Sequence, residues 1–488
     1  MEFFYKLTRE NDNYVTTKKK SKPKLNTHFI DEKIIDKYIN LKNKIKESTD
    51  KDIIYIRRNI FKMIIYNQYY LWGTFKFDIN NCYKISSNTI DSEFNIYKIN
   101  PENHNLLNYI GKTKNVKEKY QNMIYNMVSS EIWHEISKLD FCLREEYLYK
   151  YKLKIISYLF DFLKIIGDFY FICSSFCSIQ VINLYYLLST MFDEIIIYNG
   201  NYLVCKNFNP VIKKSDIIID DNFNIEPKFK LNEFIKYQEK ILLYKIKKDT
   251  LLINKKETEF INLFVNQIIS SFKYYNKDNI NKIMVDFNLS LLDLFKSTYI
   301  NNKIVKTSSA INGNEGHFLI KVIKKYNLIN ILEVGFAFGV SAFYMLSNLK
   351  TKLTSIDPFQ KTQWNNKGVE LLKEYKFDKR HTLHELKSYV ALPKLLEKYG
   401  NNYYDFIFID GYHTFDYTLL DFFYSNLLLK MKGIIIIDDA MHSGVRKCVQ
   451  YIETNYADFY KKLESPISFA MFQKIDEDKR DWNYHKSF

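Results

Sequence analysis

In the last third of the chain, acids and histidines gather where apolar runs end. Glu333-Val-Gly335-Phe336-Ala-Phe-Gly339-Val-Ser341 closes the run INILEVG, and Asp357 closes KLTSID. Asp410 ends YDFIFID with His413 three residues on, and Asp438 and Asp439 end GIIIIDD with His442 just beyond. Gly335 lets the chain turn sharply out of its run, and Gly339 lets a helix start close against a ligand. An acid two positions before the first glycine suits a ligand with a cationic amino-acid group. It speaks against a dinucleotide, whose pyrophosphate wants an uncluttered helix N-terminus and whose fingerprint is G-x-G-x-x-G rather than G-x3-G. Asp357 follows Gly335 by 22 residues (357 − 335), a spacing suited to accepting hydrogen bonds from ribose hydroxyls.

The other acids suit the second half of a reaction. If their runs are neighbouring strands, Asp410, Asp438 and Asp439 surround one point, and such hard oxygen ligands suit Mg²⁺. A metal there would lower the pKa of a bound hydroxyl and fix it in line with a reacting centre. His413 titrates near neutrality when unperturbed and is the expected general base, with His442 the second candidate. Asp421 is expected to be structural.

These residues need a scaffold that brings run-ends together. Five apolar runs read as strands, 329–335, 352–357, 404–410, 433–439 and 467–475, and helical patterns such as 340–349 and 416–430 separate them. The alternation predicts a Rossmann-like, doubly wound α/β fold with a mostly parallel sheet, its ligands lying at the carboxyl ends of the strands.

With the motifs in this order, the resemblance is specific. EGHFLIKVIKKYNLINILEVGFAFGVSA is similar to the opening of the cation-dependent O-methyltransferases. SIDPF, FIFIDGYHTFDYTLLDF and GIIIIDDAMHSGVRKCVQYI resemble the class-24 methyltransferases more closely. The resemblance implies a class I S-adenosylmethionine (SAM)-dependent methyltransferase acting on a hydroxyl of a small molecule or sugar, with Mg²⁺ as the metal. It implies that Glu333, Gly335, Phe336, Gly339 and Ser341 hold the methionine portion, with Asp410 beside them. Asp357 would take the ribose and Ser388 the adenine.

Ahead of this domain (301–475), the expected organisation is a basic flexible arm over 1–26, a mixed α/β, helix-rich region over 27–210 and a helical connector over 211–300. A charged tail, 476–488, follows it. The arm carries seven Lys/Arg against three Asp/Glu, a net +4. Within 151–208, LKIIGDFYFICSSF and INLYYLLSTMFDEIIIYNGNYLVCKNF resemble the end of the FtsJ-like family, which includes the cap ribose 2′-O-methyltransferases. Where that family has a catalytic Lys this chain has Cys173, and near its catalytic Glu stands Gly200; no glycine-rich loop lies between 27 and 150. The resemblance therefore implies a half without catalysis, kept as a scaffold or RNA-binding surface.

The chain has 488 residues, 47% hydrophobic, with 40 Tyr, 38 Phe and a formal charge of +15. That composition excludes global disorder and fits an AT-rich genome, as in large DNA viruses, which accounts for part of the Lys excess. The charge keeps RNA open as a partner, through an RNA methyltransferase whose first half holds the substrate. A third reading is a non-catalytic cofactor-binding subunit. The six cysteines form no zinc-type CxxC pair, and a reducing, cytoplasmic setting fits them. The uncharged stretch 169–191 reads as strand, turn and buried helix rather than a membrane span.

Overall fold

Continuous Ile, Phe and Val runs such as NILEV, YDFIFI and GIIII can only be satisfied by burial on both faces, which is what a central parallel strand experiences. The computed structural model describes residues 4–8, 30–74, 82–86, 94–99, 107–112, 116–125, 141–172, 179–198, 202–217, 231–275, 280–307 and 310–488. The chain divides into two compact units, 1–278 and 279–488. The division falls inside the expected 211–300 connector, because its helices pack with different units.

In the first unit, β1 (Phe4–Thr8), α1 (Glu32–Glu47), α2 (Lys51–Thr74), β2 (Cys82–Ser86), β3 (Asn95–Ile99), β4 (Leu107–Lys112) and β5 (Tyr120–Tyr125) come first. Then follow α3 (Phe141–Phe162), β6 (Leu163–Ile172), α4 (Ile179–Met191), β7 (Phe192–Tyr198), β8 (Tyr202–Phe208), α5 (Leu231–Ile253) and α6 (Glu257–Tyr275). Its sheet has the order β1-β7-β8-β6-β5-β2-β3-β4. The 169–191 stretch is the end of β6 and the start-to-end of α4. Among the described residues no helix is long and apolar enough to cross a membrane. Cys173, Cys177, Gly200 and most of the basic arm lie outside the described residues.

The second unit begins with α7 (Ile280–Phe295), a hairpin of β9 (Ser297–Ile300) and β10 (Lys303–Lys306), and α8 (Gly313–Tyr326). The latter starts with a reciprocal cap: Asn312 accepts from the amides of Asn314 and Glu315, and Glu315 accepts from the Asn312 amide. Strands and helices then alternate: β11 (Asn330–Val334), α9 (Val340–Leu346), β12 (Lys352–Ile356), α10 (Lys367–Glu374), β13 (His381–His384) and α11 (Ser388–Tyr399). After them come β14 (Tyr404–Ile409), α12 (Phe415–Leu428), β15 (Leu429–Ile437), α13 (Ser443–Asn455), β16 (Tyr460–Leu463) and β17 (Ala470–Lys474). The sheet order is β13-β12-β11-β14-β15-β17-β16. The first five strands are parallel, and β17 runs antiparallel between β15 and β16. Leu332, Ile407, Ile435, Phe422, Ile452 and Phe472 sit in the core that α11, α12 and α13 form with one face of this sheet.

Strands β13 and β16 and the β9–β10 hairpin were not among the expected runs. Each is only four residues long, and β13 (HTLH) carries no apolar run to read. The 476–488 tail is also more than an appendage. The Arg480 guanidinium sits 3.7 Å over the Tyr456 ring, and Asn455 bonds the Lys486 backbone in both directions.

The two sheets share an order. With β1 set aside, β7-β8-β6-β5-β2-β3-β4 matches β16-β17-β15-β14-β11-β12-β13 strand for strand. In both, a strand, a helix and two more strands end the sheet with the last strand antiparallel between its neighbours. The sheets differ at the other edge. There β2, β3 and β4 pair antiparallel, whereas β11, β12 and β13 are parallel. The 87–94 stretch between β2 and β3 is shorter than the dozen or so residues a parallel crossover needs.

Candidate active site

Strand β11 leaves the sheet at Gly335, and the loop to α9 alternates into the left-handed region: φ is +93° at Gly335, +43° at Ala337 and +69° at Gly339. A Cβ at Gly335 would lie 1.8 Å from the Asp410 carbonyl oxygen, so the glycine lets the β11 and β14 loops touch backbone to backbone. At Gly339 a Cβ would press on the Phe336 ring and on Gly368.

Asp357 was expected to take ribose. In the structure it is buried, and its carboxylate accepts from the amides of Ala337 (2.6 Å), Phe336 (3.3 Å) and Phe359 (2.7 Å). It therefore shapes the loop. Gln360, which no sequence signal marked, completes the clamp by donating to the Ala337 carbonyl at 2.6 Å.

Glu333 is fully buried beneath the loop, and Ser341 and Ser355 bond one oxygen each, the latter at 2.6 Å. Ser355 also meets His381 at 2.9 Å, and the His381 ring stacks on Phe336. Burial pushes the Glu333 carboxyl up to about 8 and the His381 imidazole down to about 4, so both groups are neutral at pH 7. Phe336 and Ser341 belong to this buried support, while Gly335, Ala337, Phe338 and Asp410 remain partly open beside the crevice. Ser388 starts α11 and bonds Asp421, which burial raises to about 7.

Asp410, His413, Asp438, Asp439 and His442 cluster where β14 and β15 end. The expected three-carboxylate set does not form: the His413 ring lies between two of its members, with Nε2 3.4 Å from Asp410 and Nδ1 3.1 Å from Asp439. Asp438 points inward and accepts its neighbour's amide at 2.7 Å. Mg²⁺ held by Asp410, Asp438 and Asp439 together is thus not what the donor geometry fits. Burial, followed by the nearby acids, raises Asp438, and burial also raises Asp410. The hydrogen bond that the His413 ring donates to Asp410 raises His413 above its ordinary value, because a carboxylate at each ring nitrogen favours the protonated ring. Such a ring is a stronger base than a free imidazole, but less of it is neutral and able to take a proton near neutral pH.

A family of methyltransferase domains, class 24, matches residues 332–440. No curated protein sequence matches the chain. Among solved structures, an O-methyltransferase from Bacillus cereus in complex with SAH is similar at 17% identity, covering 34% of this chain and 83% of that one, with a TM-score of 0.30. TomG of Streptomyces achromogenes, an O-methyltransferase involved in tomaymycin synthesis and solved with SAM, gives 16%, 34%, 82% and 0.30. The matched family and the strand order agree on what the C-terminal unit is: a class I, SAM-dependent methyltransferase domain.

Proposed function

We propose that the chain methylates a hydroxyl oxygen of a small molecule or sugar. The observation that carries this reading is the shared wall at Asp410. Its backbone packs on Gly335 of the cofactor loop, while its side chain meets His413. A methyl donor against the loop and an acceptor oxygen beside His413 would therefore be neighbours, as a direct displacement requires. SAM supplies an electrophilic methyl carbon next to a sulfonium. Bound beside the acceptor oxygen, it would donate that methyl group with the sulfur keeping the electron pair of the broken carbon–sulfur bond. The acceptor's proton would pass to the neutral His413 ring, whose protonated form the Asp410 and Asp439 carboxylates favour.

Methyl-labelled SAM offered with panels of phenols, sugars and RNA tests the reading. Label on a small hydroxylated acceptor is expected. Label on RNA alone would replace the small-molecule reading with one in which the first unit holds RNA, and no transfer to any acceptor would refute catalysis.

A further inference from the structure

We propose that His413, Asp439 and His442 form a binding site for one divalent transition-metal ion of the zinc class, in place of the Mg²⁺ that a carboxylate set would select. Among the described residues, these three form the one group of histidine, cysteine or acid donors whose ligand atoms all lie within 4.8 Å of one another. His413 Nδ1 is 3.1 Å from one Asp439 oxygen, and His442 Nε2 is 3.9 Å from the other. Donors around a tetrahedral ion with bonds of about 2.0–2.1 Å sit roughly 3.3 Å apart. Closing the longer gaps needs a swing of His442 alone, whose side chain is 60% exposed and free to turn. Two imidazoles and one carboxylate are a borderline-soft set that favours zinc-class ions over Mg²⁺ and leaves one position open.

Three local features support a site built at a cost in stability. Asp439 sits at φ +52°, in the left-handed region that non-glycine residues avoid. His442 occupies the N-cap of α13, where Ser, Thr, Asp or Asn would bond the first amides, and makes no such bond. The loops bearing the histidines are locked together, since a Cβ at Gly444 would meet the His413 carbonyl at 2.8 Å and the Phe415 amide nitrogen at 3.0 Å. Asp410 then acquires a defined role. With Nδ1 on the ion, His413 presents Nε2–H to the Asp410 carboxylate, the arrangement that fixes the tautomer of metal-bound histidines.

Binding of the ion stands on this geometry; with the ion on Nδ1 and Nε2–H on Asp410, His413 no longer takes the acceptor's proton, and only the ion's use in catalysis rests on the acceptor reading above. The test is a Co²⁺ titration of the metal-free, full-length protein, followed by visible absorption. One Co²⁺ per chain with a tetrahedral-type band is expected, displaced by Zn²⁺ and not by a large excess of Mg²⁺. His442→Ala and Asp439→Asn should each weaken Co²⁺ binding by about 100-fold, and Asp410→Asn by about tenfold, while circular dichroism and calorimetric SAM binding of His442→Ala stay as in the wild type. Absence of the band, undiminished Co²⁺ binding by His442→Ala, or displacement by Mg²⁺ would overturn the proposal. A bound ion in a chain that methylates no hydroxyl would uphold the site and sink the acceptor reading instead.

Discussion

Replacing Glu333 by Gln should stabilise the C-terminal unit, increasingly so as pH rises. The carboxyl is buried and its pKa lies at about 8 in the folded chain, against an ordinary 4.5. Between those values the folded state keeps a proton that the unfolded state has released. Stability therefore falls as pH rises, at about 1.4 kcal/mol per pH unit. The loss is about 3 kcal/mol at pH 7 and approaches about 5 kcal/mol above pH 8. Gln keeps the shape and can still bond Ser341 and Ser355 without titrating. Urea unfolding of wild type and variant, read on the transition of the C-terminal unit from pH 5 to 9, gives the difference directly and cancels every other titrating group. The variant should gain on the wild type steadily up to about pH 8 and then level off. Two curves that stay parallel over that range would show that Glu333 is ionised in the folded chain and that the reasoning from burial is wrong.

Gly335→Ala should weaken SAM binding at least about tenfold and lower the melting temperature, because φ of +93° and the Asp410 carbonyl 1.8 Å from the new carbon both oppose it. Calorimetry that finds wild-type affinity would contradict the backbone contact between the β11 and β14 loops. We also propose that the first unit has no transfer site, since β2 and β3 pair antiparallel with only a short stretch of chain between them, where β11 continues into a loop and α9. Full-length protein should then bind one SAM per chain, and a stoichiometry of two would reject this.

Much of the C-terminal unit could be read from the chain alone. Strands buried on both faces need unbroken apolar runs, so β11, β14 and β15 announce themselves, and an acid directly follows β14 and β15. The order of Glu333, Gly335, Gly339 and Asp357 along the chain was enough to indicate the kind of cofactor. In the first unit, β6, α4, β7 and β8 were readable for the same reason, as apolar runs broken by a turn.

Which way each polar side chain faces was decided by tertiary structure. A strand residue's face follows from its register against its neighbours, so Glu333 could be assigned to the crevice or to the interior until Ser355 on β12 and Ser341 on α9 were placed around it. Asp357 looked free for ribose until the loop's amides turned toward it. The acids at the ends of β14 and β15 looked like one set of metal ligands because spacing along a chain records neither φ nor rotamer. The left-handed turn at Asp439 and the His413 ring between Asp410 and Asp439 exist only once two parallel strands lie side by side, and they give the carboxylates different partners. The shared strand order of the two units was invisible for the same reason: it is a property of pairing between distant segments, which sequences this different in their loops do not record.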